Sequence, residues 1–96
     1  MRTPVIFRVW REQGKDCKVF ALFPTLPAYG HYVTSYQHIG QHCAADYGAC
    51  VEHSRPAQPA EYADLLAELT RIGYCLRVVR RQTPAMREQC QAEAGA

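Results

Sequence analysis

Apolar and polar positions alternate along the first half of the chain and change to a helical period in the second. Val5 to Trp10 is a β-branched and aromatic run, with Val5, Phe7 and Val9 on one side of a strand and Ile6, Arg8 and Trp10 on the other. Cys17 to Phe23 repeats the pattern, setting Val19, Ala21 and Phe23 against Lys18, Phe20 and Leu22. Between them lies Arg11-Glu-Gln-Gly-Lys-Asp16, polar and with a glycine able to take positive φ, so the two runs predict an antiparallel hairpin. Both faces carry apolar side chains, and the pattern leaves one of them only partly covered. Pro24 to Gly30 reads as a loop, because its two prolines cannot donate to a ladder.

Tyr32 to about His38 alternates again and predicts a third strand, ended by Gly40. Gln41 to Asp46 fits either a hairpin loop or a single short helical turn. Tyr47, Ala49, Val51 and His53 then share one face of an expected fourth strand, which Gly48 weakens. From Pro59 to Ile72 the period changes. Tyr62, Leu65, Leu66, Leu69 and Ile72 form one apolar stripe, with Glu61, Asp64, Glu68 and Arg71 outside it. Pro59 suits a first helical turn and Gly73 a helix stop. Cys75 to Arg81 predicts a last strand, and 82–96, polar and small, a flexible C-terminal tail. The order β-β-β-β-α-β predicts an α+β fold: a small antiparallel or mixed sheet of about five strands, one amphipathic helix on one face, and a single domain over 1–81.

Composition narrows the setting. Ninety-six residues, 48% hydrophobic and 21% charged, suit one small globular domain burying roughly 60–65% of its unfolded surface. The net charge of +2, eleven basic side chains against nine acidic, does not by itself argue for nucleic acid. Its distribution is uneven: Arg2, Arg8, Arg11, Lys15 and Lys18 crowd one end, and Arg77, Arg80, Arg81 and Arg87 lie near the other. The five cysteines include no CxxC pair, and neither a secretory apolar run nor a membrane span is present. Free thiols in a cytoplasmic protein are the expectation.

The residues best suited to chemistry gather between Ser35 and Tyr47. His38 and His42 are four apart and precede Cys43, Asp46, Cys50 and His53, a set with metal-ligand chemistry. Gly40 undermines a helix there, and no CxxC or HExxH is present, so no metal or other cofactor is expected; His38 and His42 are the candidates if one binds. His42 with Asp46 supplies a base and an orienting carboxylate, the candidate catalytic pair, and Cys43 a conceivable nucleophile. The bland alternative is that the histidines, Gln41 and Asp46 satisfy nearby main chain. Arg8, Trp10 and Phe20, with Lys18, would set cations beside π-faces on one side of the sheet, a surface for a protein or single-stranded nucleic acid, or for a homodimer in place of a monomer. In the alternative, those rings cover the sheet and the basic stems lie over them.

Val5-Ile-Phe-Arg8, Ala21-Leu-Phe-Pro24, Ser35-Tyr-Gln-His-Ile-Gly-Gln-His42, Ala45-Asp-Tyr47, Pro59-Ala-Glu-Tyr-Ala-Asp-Leu65 and Gly73-Tyr74 resemble a family of small uncharacterised bacterial proteins. Its members also occur on phage, plasmid and other mobile-element segments, and share a Ser-Tyr-x-His-x-Gly-Gln-His motif. The resemblance spans Val5 to Arg81 and implies a compact unit with no assigned activity. It implies that His38, Gly40, Gln41, His42, Asp46 and Tyr47 belong to the pattern, whereas a small residue usually stands at Cys43 and Cys50 lies outside. A polar loop of His38, Gln41, His42, Asp46 and Tyr47 is therefore the expected ligand site. The sequence reading favours a non-catalytic interaction or regulatory protein; the alternative is a small hydrolase-type enzyme or a metal- or phosphate-binding protein using His38, His42 and Asp46.

Overall fold

The computed structural model describes residues 2–11, 19–37 and 41–95. The expected turn at 12–16, Cys17, Lys18 and His38 to Gly40 lie outside the described residues.

β1 (Thr3–Trp10) and β2 (Val19–Pro27) pair antiparallel, with Phe7 opposite Ala21 and Arg8 opposite Phe20. β3 (Val33–Gln37) pairs with β2, and β4 (Gln41–Ala45) with β3 in a register that sets Val33 opposite Ala45 and Tyr36 opposite His42. Two short strands share the remaining edge of β1. β6 (Leu76–Val78) runs parallel to its first half, and β5 (Ser54–Pro56) antiparallel to its second. The helices are α1 (Tyr47–Glu52), α2 (Pro59–Ile72) and α3 (Pro84–Ala94). The result is an α+β fold on a mostly antiparallel sheet of order β4-β3-β2-β1-β5, with β6 beside β1.

Strand alternation divides the core in two. Val5, Phe7, Ala21, Phe23 and Tyr36 pack against Leu65 and Leu69 of α2. Ile6, Phe20, Leu22, Val33 and Ala45 pack on the other side with Cys90 of α3, bordered by Tyr47 and Cys50 of α1. A single helix on one face, as the sequence suggests, would leave Phe20 and Leu22 in water; here they are 1% and 0% exposed. Helices on both sides are what a sheet apolar on both faces requires.

α2 starts and ends as its sequence dictates. Pro59 occupies its first turn, and the Glu61 carboxylate accepts the Gln58 N–H at 2.8 Å. Arg55 grips the same carboxylate with two nitrogens, at 2.9 and 2.6 Å. Those donors hold the Glu61 carboxyl at a pKa of about 2. Gly73 stops the helix with a φ of +127°, a backbone region that side chains disfavour. Of the expected stripe, Leu65 and Leu69 are buried and Tyr62 and Leu66 pack beside them, while Ile72 is half exposed.

Four other expectations change. Residues 24–27, read as the start of a loop, continue β2, with the register to β3 shifted between Phe23 and Pro27. Gln41–Ala45, read as a loop or helical turn, is β4. The expected fourth strand from Tyr47 is α1, because the Asp46 side chain accepts the Ala49 N–H at 3.2 Å and caps a helix. Over so short a run the two periods coincide: Tyr47, Ala49 and Val51 alternate, yet Tyr47 and Cys50 are also one helical turn apart. Residues 84–94, read as part of a tail, form α3. Thr83 caps it by accepting the Met86 N–H at 3.2 Å, Pro84 opens it, and Cys90 is buried beneath it.

Candidate functional site

β4 divides the candidate residues between two sides of the sheet. His42 faces the α2 side, where its Nε2 lies 2.9 Å from the Tyr74 hydroxyl and its ring meets the edge of Tyr36. Tyr36 is buried and donates its hydroxyl proton to Glu68 of α2. Tyr74 stacks on Phe23, and partial burial pushes its phenol pKa up. His42 itself is exposed at the rim of this polar cluster.

Asp46 and Tyr47 belong to the other side. At about 3.3 Å per strand residue, β4 separates the backbones of His42 and Ala45 by roughly 10 Å, and the chain then turns into α1. Asp46 caps α1, and its second oxygen lies 3.6 Å from Nε2 of His31. The Tyr47 hydroxyl accepts the Gln82 N–H at 2.8 Å. His42 and Asp46 share no hydrogen bond, so the base and carboxylate of the candidate catalytic pair do not converge. His38 lies outside the described residues, as does the side chain of Gln41, whose backbone pairs with Gln37 at the start of β4. Among the described residues, no three His, Cys, Asp or Glu side chains are grouped closely enough to hold a metal ion.

The expected partner surface is largely interior, with Trp10 half-buried. Phe20 is 1% exposed and stacks on Trp10 at 4.1 Å between ring centres. Arg8 is 7% exposed; its Nε donates to Ser54 Oγ, and its Nη2 to the carbonyls of Val51 at 3.2 Å and Ser54 at 2.8 Å. It thus caps the C-terminal end of α1, where unpaired carbonyls gather partial negative charge. Burial lowers its pKa, and proximity to Tyr47 opposes that shift. These residues are folding material and form no platform, because α1 and α3 cover the face on which they lie.

Asp46 and Tyr47 instead border a cleft of about 500 Å³ that the sequence did not indicate. Gly30, His31 and Tyr32, from the β2–β3 connection, form one wall. α3 forms the opposite wall with Arg87, Cys90, Gln91 and Ala94, spaced as one stripe of a helix. Gln82 completes the lining and is fixed by two bonds: its N–H to Tyr47 and its side-chain amide to the Pro24 carbonyl at 2.9 Å. The Thr83-Pro84 pair, a cap residue followed by a first-turn proline, was the sequence signal for the helix that makes this wall.

Fold and site together define a small α+β protein with a helix-walled cleft beside the free-edge end of its sheet, and none of its described helices is long and apolar enough to cross a membrane. Comparison with protein families, with curated proteins and with solved structures finds no match for this chain.

Proposed function

We propose that this chain is a non-catalytic binding protein and that the cleft between α3, the start of α1 and the β2–β3 connection is its ligand site. The observation that supports this most directly is the cleft's make-up. Its volume lies in the range of small-ligand sites, and side chains from three separate chain segments converge on it. Apolar Pro27, Val33 and Cys90 line it together with Asp46, Gln82 and Arg87, the mixture that holds a ligand by contact and orients it by a few polar groups. A cytoplasmic setting belongs to this reading, since Cys43, Cys50, Cys75 and Cys90 are all free thiols.

The test is a nitrogen–proton correlation titration of the labelled protein with benzoate, indole, glutamate, inorganic phosphate and adenosine monophosphate. At least one probe should move the amides of His31, Gly48 and Gln91 together. The reading fails if all five leave those amides in place, or if shifts gather only around His42, Tyr74 and Glu68. That last outcome would favour acid–base chemistry on the α2 side, where an exposed imidazole is already bonded to a phenol.

A further inference from the structure

We infer that the cleft takes a nucleotide unit, an aromatic base joined to a phosphate, either free or as part of a single strand; the inference rests on the cleft being the ligand site. Two observations lead there. The first concerns charge. Arg77, Arg80, Arg81 and Arg87 are all exposed, and none has a hydrogen-bond or ion-pair partner for its guanidinium among the described residues. They follow one another from β6 through Gln82 into α3, and Arg87 stands in the cleft wall itself. Four unpaired guanidinium groups against the two carboxylates of Glu88 and Glu93 leave this segment net positive, a local anion-attracting field.

The second is the opposite wall. His31 and Tyr32 both line the cleft, and their rings lie 4.4 Å apart between centres. Tyr29 meets the edge of Tyr32 at 5.3 Å and is 69% exposed. Exposed His31 and Tyr29 and half-buried Tyr32, across the cleft from Arg87, supply the two components of single-strand binding: bases stack, and the backbone is drawn in by charge.

The arrangement fixes an orientation. The Asp46 carboxylate, beside His31, would repel a phosphate, so the phosphate belongs on the Arg87 side. The base then lies against His31 and Tyr32, where Asp46 can accept from an amino or hydroxyl group and Gln91 can donate or accept at the base edge.

The experiment compares thymidine monophosphate, a hexameric oligothymidylate, a hexameric oligouridylate and inorganic phosphate, by amide shifts and by fluorescence anisotropy of labelled strands. The nucleotide and the strands should move His31, Tyr32 and Gln91, and phosphate alone should leave His31 and Tyr32 in place. Tighter binding of the strands than of the mononucleotide identifies a polymer ligand, and equal affinity a free nucleotide. Arg87→Gln, at an exposed position, should weaken binding about tenfold while the spectrum stays folded, and should lower the salt dependence by about one phosphate contact. Tyr32→Ala should weaken the strands by at least tenfold but leave phosphate unaffected.

Equal shifts from phosphate and nucleotide, or undiminished affinity in Arg87→Gln, would overturn the inference. If benzoate or indole moves the cleft amides and no nucleotide does, the nucleotide assignment falls while the cleft remains the ligand site. If no probe moves them, both fall.

Discussion

Arg8 donates from Nε to the Ser54 hydroxyl and from Nη2 to the Ser54 carbonyl, tying the middle of β1 to the far end of α1. Ser54 uses the same hydroxyl to donate to the Cys50 carbonyl, and Arg11 reaches the Ser54 carbonyl at 2.9 Å. Among the described residues, no carboxylate takes part. A buried cation is held by the carbonyl end of a six-residue helix that is too short to persist alone.

Arg8→Met keeps much of the packing and removes every donor. It should cost roughly 2–4 kcal/mol, because the carbonyls of Val51 and Ser54 lose a charged partner in a dry site. At roughly 4–8 °C per kcal/mol, melting should fall by about 8–32 °C. Arg8→Lys should recover only part of this, since a single ammonium cannot reproduce the forked geometry. Thermal and urea unfolding measure both. A loss below about 1 kcal/mol for Arg8→Met would show that α1 does not depend on this cap.

Stability should fall at acid pH through Glu61. Arg55, and after it the Gln58 N–H, bring this carboxyl from 4.5 to about 2 in the folded protein. A depressed folded value means that the contribution is complete above about pH 4.5 and is lost as pH falls from there through about 2. Urea midpoints at pH 5 and pH 2.5 should therefore differ less in Glu61→Gln than in the parent chain. An identical pH dependence in the two proteins would remove Glu61 from the account.

On the α2 side, Tyr36→Phe keeps the ring and removes the proton given to Glu68. A cost of about 1–2 kcal/mol is expected for a hydrogen bond to a charged group at the edge of the core. His42→Ala, at an exposed position, should cost about 0.5 kcal/mol. If His42→Ala proves the more damaging of the two, His42 is a structural residue and the sequence's candidate site is part of the framework.

Thiol reactivity reads the packing of α3 without unfolding it. In a Cys17→Ser background, Cys43 and Cys75, both exposed, should react rapidly with an aromatic disulfide at neutral pH. Cys50 and Cys90 should lag. Burial pushes both their thiol pKa values up, with Asp46 adding to the first and Glu93 to the second, so less thiolate is present to react. Fast labelling of Cys90 would mean that α3 leaves the sheet readily. Cys90→Asp, which places a charge on that buried face, should lower stability by about 1–3 kcal/mol or more.

Much of this protein was legible in its sequence for a physical reason. Residues in a strand alternate by stereochemistry, so Val5 and Phe7 separate from Ile6 and Trp10 before any packing is known, and the faces read that way are the faces that form. The α2 stripe and its ends are likewise local: Pro59, Glu61 and Gly73 act within a turn of where they stand. Short elements carry no such signal. Tyr47–Glu52 satisfies two periods, and the cap supplied by Asp46 and the buried Arg8 decides between them. α3 is too polar to announce a buried face; Thr83 and Pro84 mark its start, but its inside is set by the need to cover Ile6, Phe20 and Leu22.

Alternation and capping are properties of neighbouring residues, and they set the α+β class, β1, β2 and α2. Which polar residues meet is a property of the closed sheet. Three strand positions, an odd number, send His42 and Ala45 to opposite faces, so the polar run from Ser35 to Tyr47, continuous in the chain, splits between Tyr74 on one side and His31 and Gln82 on the other. The cleft joins Arg87 to His31 across more than fifty residues, a distance that only the crossing of α3 under the sheet removes.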